Sequence, residues 1–211
     1  MKRQKILALL IIVGTVLLVT FSFYGYQAVY TPNVLVDESD RVLLIPTGTT
    51  FDQVQDRLHD EGYVNDLLSF STLAKLMKYD HYVKPGRYLL RSNMSNIEAI
   101  RLLRSGEQTP VNVTFNNVRL KPELAERLCE NLEADEEQLL ALLNDEKFVK
   151  QYGFTTENIL TMFLPNTYEF YWTTSAEELF ERFHQEYQNF WSEQRLAKAD
   201  TLDMNPREVG V

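Results

Sequence analysis

Residues 41–58 read RVLLIPTGTTFDQVQDRL, and in these eighteen positions the chain changes from one periodicity to another. Val42 to Ile45 is a short apolar run of strand-forming residues, closed by Pro46 and the turn signal Thr47-Gly48-Thr49. Thr50-x-x-Gln53 is then a capping box, in which hydroxyl and carboxamide satisfy backbone N–H groups left over at a helix start. Phe51, Val54 and Leu58 follow at helical spacing until Glu61-Gly62 stops them. A strand delivering into an amphipathic helix is thus written into one short segment.

The same order recurs downstream. The apolar run 88–90 leads through Ser92-Asn93-Met94 to the capping box Ser95-x-x-Glu98, then to Ile97, Ile100, Leu102 and Leu103 and a stop at Ser105-Gly106. Val111 to Phe115 alternates with period two and leads to Lys121-Pro122, Leu124, Leu128 and Leu132, with proline suited to the first helical turn. Between the first two units, 67–77 (LLSFSTLAKLM) is an apolar helix of its own, and Lys84-Pro85-Gly86-Arg87-Tyr88 turns into the second strand. A strand, two helices and a strand make a small α+β module over 41–108, and the fold class expected for the chain is α+β. In 109–211 the patterns predict helices at 122–132, 135–144 and 146–151, loop signals at Gly153 to Thr156, and a long amphipathic helix opened by Ser175-x-x-Glu178. Phe180, Phe183, Tyr187, Phe190 and Trp191 form its core-facing stripe.

Residues 6–23 (ILALLIIVGTVLLVTFSF) carry no charge over eighteen positions, and Tyr24, Tyr26 and Tyr30 follow where an aromatic belt belongs. The stretch reads as a spanning helix; a cleaved signal peptide is the rival, but its apolar region is shorter and the exit Tyr24-Gly25-Tyr26-Gln27 lacks a small-x-small site. Lys2, Arg3 and Lys5 precede the span and the next cation is Arg41, so the N-terminus is expected in the cytoplasm and the remainder outside it. Residues 1–26 are then head and anchor, and 27–40, rich in turn and charge signals, a short stalk.

The formal charge is −9 over 211 residues, and −12 once Lys2, Arg3 and Lys5 are set aside, which argues against nucleic acid as a partner. Cys129, the single cysteine, reads as core and can form no internal disulfide. His59, His81 and His184 lack a second ligand at i+3 or i+4, so no metal is expected, and each reads as a surface or packing residue. The chain has neither a glycine-rich phosphate loop nor G-x-S-x-G, so neither a nucleotide site nor a serine-hydrolase elbow is supported.

The segment 163–172 (FLPNTYEFYW) remains. Aromatic faces beside an amide, a hydroxyl, a phenol and a carboxylate are what a sugar ring requires, since its C–H faces stack and its hydroxyls need partners. The other reading of Pro165-Asn166-Thr167 is a turn joining core elements. Near the end, Asn205-Pro206-Arg207-Glu208 has the N-cap, N1 proline and acidic first turn of a helix, yet the sequence stops at Val211. The expectation is a truncated chain, with a frayed C-terminus as the alternative.

The basic head, single span and successive motifs at Ile45 to Phe51, Lys84 to Tyr88, Leu103-Arg104-Ser105-Gly106, Val113-Thr114-Phe115 and Phe163-Leu164-Pro165-Asn166-Thr167-Tyr168 resemble the endolytic murein transglycosylase family, also called YceG-like. The resemblance makes 41–108 a LysM-like module and 109–211 the N-terminal part of the YceG-like domain. It implies lytic cleavage of peptidoglycan glycan strands between N-acetylmuramic acid and N-acetylglucosamine. A glutamic acid protonates the glycosidic oxygen and then, as carboxylate, assists the muramyl C6 hydroxyl in closing a 1,6-anhydro ring, without a cofactor. The family's acid is expected in an Ala-Ser-[Ile/Val]-[Ile/Val]-Glu helix after the long aromatic helix, beyond Val211. No catalytic residue is therefore placed within 1–211, and residues 1–211 alone are expected to be inactive. The Leu-Glu-Gly triplet often found before the family's F-P-[DN]-T-Y element is replaced by Leu160-Thr161 without a glutamate. Asn166, Thr167, Tyr168 and Glu169 are expected to bind substrate. Implied partners are glycan strands, one membrane, and synthases or division proteins of the wall; the implied location is the cytoplasmic (inner) membrane with the C-terminal part in the periplasm or extracytoplasmic space. A non-catalytic wall-binding or scaffold protein is the alternative.

Overall fold

The computed structural model describes residues 2–201, so the helix start expected at Asn205 lies outside the described residues. The chain is α+β and divides into two compact units, Met1–Gln108 and Thr109–Val211.

The first unit begins with α1 (Lys2–Tyr30), whose 29 residues at about 1.5 Å each make roughly 43 Å of helix. Its apolar side chains over 6–23 are exposed all round, and the helix is long and apolar enough to cross a membrane. Next come β1 (Pro32–Val34), β2 (Arg41–Ile45), α2 (Phe51–Asp60), α3 (Leu67–Leu76), a 3₁₀ turn (Tyr79–His81), β3 (Gly86–Leu90), β4 (Met94–Ser95) and α4 (Asn96–Ser105). β2 and β3 pair antiparallel from Arg41 opposite Leu90 to Ile45 opposite Gly86. Leu43, Ile45, Tyr88 and Leu90 point inward against Val54 and Leu58 of α2, Phe70 and Ala74 of α3, and Ile100 and Leu103 of α4. Both expected capping boxes form: the Glu98 carboxylate accepts from the N–H and hydroxyl of Ser95, which holds its pKa below the usual carboxylate range. At the other end of α4, Gly106 takes the left-handed conformation (φ 75°) that closes a helix, which a side chain would strain.

Residues 27–40 are no stalk. α1 runs on to Tyr30, β1 pairs with β4, and Val34 and Leu35 are buried in the core. Leu35 donates its N–H to the Tyr63 carbonyl and accepts from the N–H of Asn93, 2.9 and 3.1 Å away. These partners lie 28 and 58 residues downstream, which is why local turn signals were a poor guide.

The second unit holds β5 (Val111–Phe115), α5 (Lys121–Cys129), α6 (Glu136–Asn144), α7 (Glu146–Gln151), a 3₁₀ turn (Ile159–Met162), β6 (Asn166–Phe170), α8 (Ala176–Phe190) and α9 (Glu193–Asp200). α5 ends at Cys129, before the expected Leu132, and the chain that follows is held by the Glu133 N–H, which donates to the Trp172 carbonyl at 2.7 Å. The core gathers Leu124, Leu128, Leu139, Leu143, Ile159 and Met162 around Phe180 and Phe183. The α8 stripe is core only at that end; Tyr187 and Trp191 are half-buried and Phe190 is exposed. Cys129 is half-buried, and burial pushes its thiol up to about 11, so it stays protonated and inert at neutral pH.

Candidate functional site

β5 and β6 form an antiparallel two-stranded ribbon, with Asn112 opposite Glu169, Val113 opposite Tyr168 and Thr114 opposite Thr167. Since strand side chains alternate, the pairing sorts them into two faces. Val113, Phe115, Tyr168 and Phe170 point into the core, whereas Asn112, Thr114, Thr167 and Glu169 stand in solvent. The Thr114 and Thr167 hydroxyls are 2.8 Å apart in a cross-strand hydrogen bond. Asn166 is exposed at the start of β6, and its carboxamide oxygen accepts from the N–H of Thr167 at 2.8 Å.

The four residues expected to bind glycan are therefore divided. Asn166, Thr167 and Glu169 reach the surface, but Tyr168 is 6% exposed, its ring 5.9 Å from Phe115 in a stacked pair and 4.9 Å from Phe183 edge to face. Its hydroxyl donates to the Leu164 carbonyl at 2.7 Å, and burial raises the phenol pKa. Tyr168 thereby pins the peptide ahead of Pro165 and sets where Asn166 and Thr167 emerge. Composition could not separate these roles, because the division depends on register.

Two hollows flank the polar row at opposite ends of the ribbon. One, of about 510 Å³, is bounded by Pro110, Glu169, Tyr171, Thr174, Glu178 and Arg182. Tyr171 is 57% exposed there, a ring free to stack. Glu178 and Arg182 are already engaged, the first accepting from the Ser175 N–H at 2.8 Å and the second paired with Glu186 at 2.8 Å. The other hollow, of about 200 Å³, is bounded by Thr114, Asn116, Asn117, Glu123 and Arg127. Asn112 and Thr114 lie outside the expected set, although the alternation in Val111–Phe115 puts both on one face; Tyr171 belongs to the aromatic segment 163–172.

Among the described residues no aspartate or glutamate is buried; the buried polar set is Asn33, Ser69, Ser71, Ser95 and Asn96. Glu169 thus lacks the apolar enclosure used by a general acid in glycoside chemistry. No three His, Cys, Asp or Glu side chains converge as a metal site among the described residues.

The YceG-like family matches residues 43–211. The chain belongs to the YceG-like family. The match begins within β2 and takes in the rest of the β2–β3 module and the whole β5–β6 ribbon. A crystal structure of a YceG-like protein from Listeria monocytogenes is similar at 20% identity and a TM-score of 0.41, over 79% of this chain and 60% of that one. The YceG-like chain described here therefore spans three-fifths of the length of that relative. No curated protein matches it.

Proposed function

We propose that this YceG-like protein is a membrane-anchored lytic transglycosylase of peptidoglycan, and that the outer face of the β5–β6 ribbon carries the glycan strand. One observation supports this reading above the others: a row of short polar tips, Asn112, Thr114, Thr167 and Glu169, ends at the exposed Tyr171 ring within a family-matched segment. Such a surface can hydrogen-bond hydroxyl and acetamido groups while a ring stacks on a sugar face. Tyr168 acts from behind as a positioning residue. Proton transfer is assigned to none of Asn166, Thr167, Tyr168 and Glu169; it belongs to the glutamate of an Ala-Ser-[Ile/Val]-[Ile/Val]-Glu helix, a motif absent from residues 1–211. α1 anchors the protein, with the chain that follows it on the extracytoplasmic side facing the wall.

The alternative, a non-catalytic glycan-binding or scaffold protein, is favoured by the lack of a buried carboxylate among the described residues. Retention on purified peptidoglycan tests the glycan surface that both readings share, and analysis of released muropeptides tests whether residues 1–211 hold the acid. Residues 1–211 should bind, and Thr167→Ala with Tyr171→Ala should weaken retention about tenfold, the loss of roughly 1.4 kcal/mol. They should release no 1,6-anhydromuropeptides. Undiminished retention by the double variant removes the ribbon from the glycan site, and release of anhydro ends makes Glu169 the first carboxylate to substitute.

A further inference from the structure

The apolar helix α3 has two contrasting sides. Phe70, Leu73 and Ala74 are buried in the core of the module, whereas Leu68 and Leu76 are 74% and 79% exposed. With the exposed Thr72, they lie four residues apart along one helical face. Two fully presented leucines on one short helix call for a partner.

The position of the N-terminal end of this helix is fixed by a buried hydrogen-bonded cluster. The Asn96 amide donates to the carbonyl of Ala28, in the last turn of α1, at 2.8 Å and to the Ser69 hydroxyl of α3 at 3.0 Å. The Asn33 amide donates to Asn96 Oδ1 at 2.7 Å and to the Asp66 carbonyl at 2.9 Å, and Asn33 Oδ1 accepts from the Asp66 N–H at 2.7 Å. Asp66 is the N-cap of α3, its carboxylate accepting from the N–H groups of Leu68 and Ser69. α3 is thus fastened to α1 at Ala28, five residues past Phe23 and so about 8 Å beyond the charge-free stretch 6–23. That stretch is roughly 27 Å long, close to the thickness of a hydrocarbon core. Ala28 then lies in the headgroup layer, at the level of Tyr24, Tyr26 and Tyr30, which are all more than half exposed. Lys75 and Lys78, exposed at the far end of α3, have the reach to meet lipid phosphates while their stems stay apolar.

We propose that the face of α3 bearing Leu68, Thr72 and Leu76 rests in the interfacial layer of the membrane that α1 crosses, so that the partner of this surface is phospholipid. The proposal rests on reading α1 as a membrane span. It makes the first unit a seated body, held to the bilayer by a crossing helix and a grazing one.

The test uses residues 1–211 with Cys129→Ser and one new cysteine at a time, Leu68→Cys, Leu76→Cys, Leu89→Cys or Thr15→Cys. Each is labelled with an environment-sensitive fluorophore and reconstituted in phosphatidylcholine and phosphatidylglycerol vesicles that carry nitroxide at shallow or deep positions. Labels at 68 and 76 should shift to the blue and be quenched by shallow nitroxide about threefold more than the label at 89 on β3. Quenching at 68 and 76 no greater than at 89, with the label at 15 quenched by deep nitroxide, overturns the seating and leaves the anchor standing. An unquenched label at 15 overturns both.

Discussion

Replacing Tyr168 separates packing from glycan contact. Tyr168→Phe removes only the hydroxyl that donates to the Leu164 carbonyl at 2.7 Å; the expected cost is about 1 kcal/mol and at most about 2. Tyr168→Ala also empties the space between Phe115, Phe170 and Phe183, and truncations of buried aromatics cost about 3–5 kcal/mol. Thr167→Ala, one residue away on the opposite face, loses a cross-strand hydroxyl pair, about 0.2–1 kcal/mol. Both tryptophans, Trp172 and Trp191, lie in the second unit, so their fluorescence in a urea titration follows that unit alone. With a slope of about 1.5 kcal/mol per molar urea, the midpoint should fall by about 0.7 M for Tyr168→Phe and by more than about 2 M for Tyr168→Ala. Retention on peptidoglycan by Tyr168→Phe should fall further than its folded fraction, because the Pro165 turn is released. A midpoint for Tyr168→Ala no lower than for Thr167→Ala would refute the placement of this ring in the core.

Three further outcomes are expected. Asn96→Ala strands the Ala28 carbonyl and takes one of the two acceptors from the Asn33 amide, which keeps the Asp66 carbonyl; this should cost the first unit about 2–4 kcal/mol and speed amide hydrogen exchange over 27–36, while the tryptophan-reported transition stays in place; unchanged exchange there would dismiss the cluster as a fastening. Burial pushes the Tyr88 phenol up to about 12 and Tyr79 higher still, so unfolded chains lose these protons near pH 10 while folded ones keep them. The stability of the first unit should be full below pH 10 and decline as pH rises toward 12, and Tyr88→Phe should flatten that decline in chemical denaturation. A reporter enzyme active only outside the cytoplasm, fused after Gln108, should be active in cells; activity from a cytoplasmic reporter instead would reverse the orientation read from Lys2, Arg3 and Lys5.

What the sequence disclosed was whatever short-range chemistry decides. Thr50 with Gln53, Ser95 with Glu98 and Ser175 with Glu178 each mark a helix start, and each forms its capping box. The alternation of Val111–Phe115 marks a strand, and the strand forms; that it pairs with 166–170 was not written there. The contributions of Val34 and Leu35 stayed hidden, since their burial rests on Tyr63 and Asn93, far along the chain. The division of Asn166, Thr167, Tyr168 and Glu169 was hidden for a related reason: which alternate residue faces inward follows from the pairing of Tyr168 with Val113, and a shift of one residue would have exchanged the faces.

The two strands of the ribbon are separated by the fifty residues of 116–165. Joining ends so far apart costs roughly 3.5 kcal/mol of chain entropy before any hydrogen bond between them forms. During synthesis at about 5–20 residues per second, β5 waits some 3–10 s for its partner strand to be made. In that interval the helices α5, α6 and α7 can form from local contacts, while Val113 and Phe115 have no strand to pair with. The surface assigned to the glycan therefore comes into being only after α5, α6 and α7, and a chain interrupted before β6 would emerge with those helices formed, an apolar strand uncovered and no polar row at all.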